Sequence, residues 1–296
     1  MRKILIIFLT IALSQSSAQT RHELDSLKSV LEKVSADDQR YRSGWDTAIQ
    51  QYGLNSPKII GMIRQMNFQD SLDMKVVGAI LDQYGWLSKD QTSDSANDAL
   101  FLVLQHATLP FQLKYLPLME RAVAAKKAKA SDYALLVDRT NMFQGKLQIY
   151  GSQVTYDARG NIHLFPITDE PNVDRRRSEV GLPGMQVYLH LFNPHFVYTL
   201  PKKDRFKNKI AVRGLLSDLK SKQPLSGVSV DSPDGKQLGI SDSGGYYMVL
   251  LDRTLIPAKL IFKKRYFDSI VYPVTDTTRQ VIDFNPSLKR NMDTRQ

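Results

Sequence analysis

The fold is decided by the stretch Lys146-Leu147-Gln148-Ile149-Tyr150-Gly151-Ser152-Gln153-Val154-Thr155-Tyr156, where the spacing of apolar residues changes from that of a helix to that of a strand. Apolar and polar residues alternate through this stretch, as they do in a half-buried strand. Turn residues follow at 157–161, and the chain is predicted to return as a second strand over 162–167. The sequence therefore predicts a β-hairpin between a helical region and a β region.

Helical spacing dominates the sequence before the hairpin. Apolar residues recur with charges between them, for example at Leu24, Leu27 and Leu31. Helical stretches are predicted within 21–52, at 70–84, 94–107, 111–125 and 132–142, and once more after the hairpin at 173–179. Pro117 lies inside one of them and is expected to kink or split that helix.

Strand and turn signals dominate the sequence after residue 210. Short apolar runs are separated by Asp-Gly and Gly-Gly turns, a spacing that favours a β-sandwich. The preceding segment, 193–208, is rich in proline and basic residues, which is typical of a linker.

The first twenty residues have the three parts of a secretory signal peptide. Arg2 and Lys3 precede an apolar run from Ile4 to Leu13, and small residues follow at Ser16 and Ala18. The run is too short for a membrane-spanning helix, which needs about 20 apolar residues. We therefore predict cleavage near Ala18 and export as a soluble periplasmic or extracellular protein.

Composition and charge exclude several kinds of site. The sequence has no cysteine, so disulfides, thiolate metal sites and a cysteine nucleophile are excluded. The net charge is +10, and removal of Arg2 and Lys3 leaves 38 basic and 30 acidic residues. No basic helix or stacking-sheet motif accompanies this charge, so nucleic acid is not an expected partner.

Complete catalytic and metal-binding motifs are missing from the sequence. It contains no Gly-x-Ser-x-Gly elbow, no phosphate-cradling loop and no His-Glu-x-x-His motif. The histidines from residue 106 onward are too dispersed for their spacing to predict a metal site. We therefore predict neither a metal nor a cofactor.

Three blocks stand out in the last third of the chain, namely Val212-Arg213-Gly214, Pro224-Leu225-Ser226-Gly227-Val228 and Ser241-Asp242-Ser243-Gly244-Gly245-Tyr246-Tyr247. Together they resemble the carboxypeptidase regulatory-like family. The resemblance covers about 209–285 and implies a transthyretin-like sandwich of seven strands. In that family, which occurs in many exported bacterial proteins, the module is an accessory unit without catalytic residues.

The predicted fold class is accordingly α+β and multidomain. A mainly helical N-terminal and middle domain with one β-hairpin is expected to precede an all-β transthyretin-like sandwich. The predicted boundaries are 1–18 for the signal peptide, 19–192 for a helical domain of unknown function, 193–208 for the linker, 209–285 for the carboxypeptidase regulatory-like sandwich and 286–296 for a tail.

Five blocks in the helical domain resemble a bacterial family of unknown function. They are Gln105-His106-Ala107, Leu116-Pro117-Leu118, Val137-Asp138-Arg139, Gln148-Ile149-Tyr150-Gly151-Ser152-Gln153 and Val173-Asp174-Arg175-Arg176-Arg177-Ser178-Glu179-Val180-Gly181-Leu182. The resemblance covers about 105–182 and brings no assigned activity. Thr108 stands where the first block of the family usually continues with Asp.

Polar residues of these blocks are the candidate site. His106 can exchange a proton near neutral pH, and Asp138 could orient His106 or Arg139. Guanidinium groups at Arg176 and Arg177 suit phosphate or carboxylate. His106 and Asp138 are the candidate catalytic residues, and the candidate binding residues are Gln105, Arg139, Gln148, Tyr150, Gln153, Asp174, Arg176 and Arg177.

Two functions fit these residues. One is an exported bacterial envelope protein that binds or interacts with a partner, which could be an anionic small molecule, a glycan or a peptide. The alternative is a hydrolase or transferase acting on an anionic substrate, with His106 as acid–base and Arg176 and Arg177 as an anion clamp. The lack of a complete catalytic motif favours binding, and whether the protein is an enzyme stays open.

Overall fold

The computed structural model describes residues 2–53 and 56–291. Helices come first and strands last, which confirms the predicted α+β class. The chain divides into two compact units. The helical unit comprises 1–43 and 62–133, and the mixed unit comprises 44–61 and 134–296.

The helices occupy the first two thirds of the described chain. Their bounds are α1 Arg2–Arg42, α2 Trp45–Tyr52, α3 Pro57–Tyr84, α4 Asp94–His106, α5 Leu109–Ala124, α6 Ala130–Phe143, α7 Val173–Glu179 and α8 Met185–His190. The bounds of α7 confirm the helix predicted after the hairpin. In the described residues, no helix is both long enough and apolar enough to cross a bilayer.

The predicted signal peptide coincides with the start of α1. Residue 1 and the side chains of 2–19 lie outside the described part of the chain, and so do residues 292–296 of the predicted tail. The cleavage and the export of the protein therefore stay predictions.

The helical unit is held together along α1 and α4. The two helices pack against each other and bury Leu31 and Leu100 completely. Ser93 caps α4, because its hydroxyl accepts the backbone N–H of Ala96. α5 runs uninterrupted through Pro117, which therefore does not split the helix.

The β-hairpin of the mixed unit is shorter than predicted. Its strands are β1 Val154–Tyr156 and β2 Ile162–Leu164, paired antiparallel. Residues 148–153, predicted to belong to the first strand, form a loop with a single bridge between Gln148 and Ile167.

Two larger sheets and one small sheet contain the remaining strands of the mixed unit. The order is β10-β3-β7 in one and β6-β5-β8-β9 in the other, while β11 pairs with β4. The bounds are β3 Lys209–Leu215, β4 Ser217–Asp218, β5 Ser229–Asp231, β6 Gln237–Ile240, β7 Tyr246–Asp252, β8 Ala258–Lys263, β9 Ile270–Val274, β10 Val281–Asp283 and β11 Ser287–Leu288.

One apolar core lies between the two larger sheets. Tyr247, Val249 and Leu251 alternate along β7, so that they all face the same side of their sheet. They share a cluster with Val230 of β5 and Leu260 of β8, from the other sheet. Burial of this cluster is the driving force that joins the sheets.

A second apolar cluster joins the hairpin region to the β3 sheet. Leu147 and Phe165 pack with Ala211 of β3, Val281 of β10 and Phe206. Phe206 belongs to the segment predicted as a linker, 193–208, which contains no helix or strand and falls inside the mixed unit. The predicted domain boundaries stay a prediction.

Close backbone approach at Gly214 gives a test of this packing. A Cβ at Gly214 would collide with the backbone carbonyl of Phe284, an atom that cannot turn away as a side chain can. We expect Gly214→Ala to lower the free energy of unfolding by about 2 kcal/mol, measured by urea denaturation. The control is Gly61→Ala in α3, where nothing lies within 4 Å of the added methyl group and the free energy should hold or rise. Equal effects of the two changes would contradict this account.

Candidate functional site

A buried carboxylate organises the loop between α6 and the hairpin. Asp138 of α6 is fully buried and accepts the backbone N–H groups of Ile149 at 2.7 Å, Tyr150 at 3.0 Å and Ser152 at 2.9 Å. Burial raises the pKa of Asp138, and these hydrogen bonds oppose the rise. N–H groups held in this way cannot enter a β-ladder, so the first strand begins only at Val154.

Two glutamines close the same loop. The side chain of Gln148 donates to the carbonyls of Gln153 at 3.0 Å and Phe165 at 2.7 Å. Gln153 in turn accepts from Arg139 at 3.2 Å. Both glutamines are buried, and Gln148 satisfies backbone groups that solvent cannot reach, while Gln153 bonds to the side chains of Arg139 and Ser152.

The guanidinium groups of α7 hold the other side of the loop. Arg176 donates to the carbonyls of Ile149 at 2.8 Å and Thr168 at 2.7 Å, and forms an ion pair with Asp169. Arg177 is completely buried and donates to the carbonyls of Tyr150 at 2.7 Å and Pro183 at 2.6 Å. Burial lowers the pKa of Arg177.

The loop therefore gathers seven of the ten predicted site residues, and an eighth lies on α7. Asp138, Arg139, Gln148, Tyr150, Gln153, Arg176 and Arg177 meet around residues 148–153. Asp174 of α7 accepts the backbone N–H of Met185 at 2.8 Å, which fixes the start of α8. In the described contacts, their polar groups largely bond to the protein's own backbone.

His106 and Gln105 belong to the helical unit, at the end of α4. The Nδ1 atom of His106 lies 2.8 Å from the carboxylate of Asp38 on α1. Arg42 bonds to the same carboxylate at 3.2 Å and pairs with Asp70 of α3. The side chain of Asp38 is buried, while that of His106 is 16% exposed.

Asp38 is the group that orients His106 in this structure. Burial acts to raise the pKa of Asp38, but the hydrogen bond from His106 and the charges of His106 and Arg42 hold it below its ordinary value. An ionised carboxylate at Nδ1 leaves Nε2 as the ring atom that can accept or donate a proton. Asp38, and not Asp138, is therefore the carboxylate that contacts His106.

Two groups of side chains have the composition of metal ligands. Asp38, Asp70 and His106 form one group, and the guanidinium of Arg42 already pairs with both of its carboxylates, in the place of a metal cation. The other lies in the mixed unit, where Nε2 of His163 is 3.4 Å from Asp157 and 3.5 Å from Asp242. The ring of His163 also stacks on Tyr246 at 3.8 Å. Sequence spacing could not predict either group, because its members come from separate elements.

A cavity of about 420 Å³ lies in the mixed unit beside β3. We name it the Arg213 cavity, and its lining includes Phe143, Thr155, Arg213, Tyr246, Arg279 and Asp283. Arg213 is only 6% exposed, donates from Nε to Asp283 at 2.8 Å and lies over the ring of Phe165. In the described part of the chain, its buried Nη1 atom has no hydrogen-bond acceptor.

Sequence reasoning passed over Arg213 as part of a strand motif. The available signal was an arginine in the apolar strand Ile210-Ala211-Val212-Arg213-Gly214-Leu215-Leu216. A charge within such a run must find a partner or a ligand once the strand is buried. Asp38 carried no comparable signal, since it belongs to a charged face of α1.

A model for a family of unknown function, DUF6624, matches residues 27–201. The chain belongs to this family. The match includes the loop at Asp138 and the Asp38–His106 pair, and it confirms the prediction of a domain of unknown function there. Among curated proteins the chain has no match.

Three solved structures share only local likeness with the chain. The C-terminal domain of the PapC usher is 17% identical, covering 27% of this chain and 98% of that chain, with a TM-score of 0.21. The Bacillus anthracis TIE protein is 14% identical over 28% of this chain and 17% of that chain, with a TM-score of 0.21. A 9R-lipoxygenase from Cyanothece PCC8801 is 13% identical, covering 32% of this chain and 18% of that chain, with a TM-score of 0.22. Likeness at these scores carries no argument.

The loop at Asp138 gives a second test. In Asp138→Asn one oxygen becomes an NH₂ group that faces backbone N–H donors, so at least one buried hydrogen bond is lost. We expect the free energy of unfolding to fall by about 2 kcal/mol in urea denaturation. The matched control is Asp174→Asn, whose remaining oxygen can still accept from Met185 and whose effect should be under about 1 kcal/mol. The same small change in both variants would rule out the organising role of Asp138.

Proposed function

We propose that the protein is an exported binding protein of the bacterial envelope that holds a small anionic ligand in the Arg213 cavity. The observation that carries this proposal is the buried Nη1 atom of Arg213, which has no acceptor among the described residues. A buried charged donor without an acceptor costs free energy. An anion in the cavity would supply the acceptor.

The charge of the cavity supports a monoanion. Two of its lining residues, Arg213 and Arg279, are positive, and one, Asp283, is negative. The carboxylate of Asp283 is bonded to Nε of Arg213, and Arg279 pairs at 3.6 Å with Asp276, which does not line the cavity, so the lining residues themselves carry one net positive charge. The hydroxyl of Tyr246 also bonds to the guanidinium of Arg213, which leaves the buried Nη1 atom as the donor for a carboxylate oxygen.

The size and the walls of the cavity support a small ligand with an apolar part. About 420 Å³ is near the lower end of the range for ligand pockets and suits a molecule the size of a sugar or an amino acid. Phe143 and Leu215 offer apolar contacts, and Thr155 offers a hydroxyl. We therefore propose a small monocarboxylate, free or as part of a glycan.

The start of the sequence and its last third support the cellular setting. A basic start, an apolar run and small residues near Ala18 suit a signal peptide. The resemblance of residues 209–285 to the carboxypeptidase regulatory-like family suits an accessory module of an exported protein. In our proposal, this module forms one wall of the ligand site.

Ligand binding can be tested on the full chain with defined probes. We expect hexanoate, benzoate or glucuronate to bind saturably by isothermal titration calorimetry, and 1-hexanol, benzyl alcohol and glucose to bind at least about tenfold more weakly. Arg213→Gln should remove the difference between acid and uncharged analogue. Arg279→Gln should reduce the difference in affinity between acid and uncharged analogue, and it should not affect folding because the side chain of Arg279 is exposed.

The control for Arg213 is Arg290, which also donates from Nε to an aspartate and lies over a phenylalanine ring, but outside the cavity. Arg290→Gln should leave binding unchanged. If none of the carboxylates binds better than its uncharged analogue, the proposal is wrong.

An acid–base enzyme acting through His106 is the second candidate function, and the Asp38–His106 pair favours it. In this version Asp38 orients His106, whose Nε2 transfers the proton. The proposed clamp, Arg176 and Arg177, bonds to backbone carbonyls in the mixed unit. The anionic substrate would therefore need other cations, of which Arg42 lies nearest to His106's partner Asp38.

Turnover of p-nitrophenyl acetate and p-nitrophenyl phosphate tests this candidate. If the protein is a hydrolase of this kind, His106→Gln should lower kcat at least about 100-fold, and Asp38→Asn should lower it and alter its pH profile. Arg176→Lys, as a control in the other unit, should affect stability more than kcat. Turnover that is absent in the wild type, or unchanged in His106→Gln, would leave binding as the proposed function.

A further inference from the structure

A second cavity, of about 500 Å³, lies between α1 and α3 of the helical unit. We name it the Asp73 cavity, after the acidic residue that lines it. On α1 its wall includes Val30, Lys33, Val34 and Asp37, and on α3 it includes Leu72, Asp73 and Val76. Residues three and four apart on each helix contribute, so the cavity follows one face of both helices.

Asp73 is a buried acid with an unmet hydrogen-bonding capacity. Its side chain belongs to a residue that is only 3% exposed. Oδ1 accepts from Gln69 at 2.9 Å, but Oδ2 is buried and has no partner among the described residues. A carboxylate oxygen in this position calls for a donor, and a positively charged donor gives the strongest bond.

The charges around Asp73 do not supply that donor. Lys33 and Arg40 of α1 face the cavity, but both pair with Asp37. Of the charged residues that do not line the cavity, Arg42 forms ion pairs with both Asp38 and Asp70, and His106 of α4 bonds to Asp38. Burial, followed by the charges of Asp38, Asp70 and Asp37, raises the pKa of Asp73 to about 6. At pH 7.5 Asp73 is therefore mostly ionised, and among the described residues neither Lys33 nor Arg40 forms an ion pair with it.

The surface next to the cavity is apolar and exposed. Phe68, Leu72 and Val76 are four residues apart on α3 and are 67%, 39% and 37% exposed. Together with the half-exposed Val30 on α1, they extend the apolar surface beyond the volume of the cavity. An exposed stripe of this kind is typical of a surface that contacts another protein.

From these observations we propose that the Asp73 cavity receives a lysine or arginine side chain of a partner protein, with its charged end on Asp73 and its aliphatic stem between Val34 and Val76. The neighbouring apolar residues of the partner would cover Phe68 and Leu72. The inference does not depend on the Arg213 cavity, which lies in the other unit.

Side-chain analogues test the proposal on the full chain without knowledge of the partner. The probes are n-butylammonium for lysine, n-propylguanidinium for arginine and 1-pentanol as the uncharged analogue. At pH 7.5 we expect one of the cations to shift the methyl NMR signals of Val34, Leu72 and Val76 saturably, with a millimolar Kd. We expect 1-pentanol to bind at least about tenfold more weakly.

Asp73→Asn should reduce the affinity for the cation to that for 1-pentanol. This variant should fold, because the amide is uncharged and can keep the bond from Gln69. The control is Asp82→Asn, an exposed acid of the same helix that pairs with Lys114 outside the cavity, and it should bind like the wild type.

Three results would overturn the proposal. The first is no saturable shift with either cation at 100 mM. The second is equal binding of cation and alcohol, which would make the cavity merely apolar. The third is a micromolar Kd for a free amine, which would assign the site to a small amine instead of a protein side chain.

Discussion

The buried carboxylate of Asp138 is the constraint on which the mixed unit depends. It collects the backbone N–H groups of residues 149, 150 and 152, which would otherwise be unsatisfied in the interior. Once these groups are held, the carbonyls of Ile149 and Tyr150 turn toward α7, where Arg176 and Arg177 bond to them. A loop without regular hydrogen bonding is thereby fixed from both sides, and the hairpin that follows it can pack on the sheet of β3.

The sequence predicted the order of elements well, because periodicity is a local property. Apolar residues recur at helical spacing before residue 145 and in Val173–Glu179, and they alternate with polar residues in the β region after residue 209. The first strand of the hairpin was predicted too long for a physical reason. Alternation in residues 146–153 resembles a strand, but Asp138, distant in sequence, takes the N–H groups that a ladder would need.

The candidate site was predictable in part. Blocks around Asp138, Gln148, Arg176 and Arg177 stood out because a helical domain needs few such residues, and they do meet around one loop. Their partners are backbone atoms, which leave no trace in a sequence. The partner of His106 was not predictable either, because Asp38 lies 68 residues away among other charges of α1.

Groups that the fold leaves unsatisfied are better pointers to function than groups that it satisfies. Arg176 and Arg177 bond to carbonyls that only a folded loop presents, so their charges largely stabilise the protein itself, and the buried Nη2 atom of Arg177, which has no partner among the described residues, lines neither the Arg213 cavity nor the Asp73 cavity. Arg213 and Asp73 differ from Arg177 because each lines a cavity and also keeps one buried polar atom without a partner among the described residues. A buried charged group with an unpaired polar atom costs free energy, and an apolar side chain of similar size at either position would remove this cost. A charge retained at such a position is the physical basis of both proposals, an anion in the Arg213 cavity of one unit and a cationic side chain in the Asp73 cavity of the other.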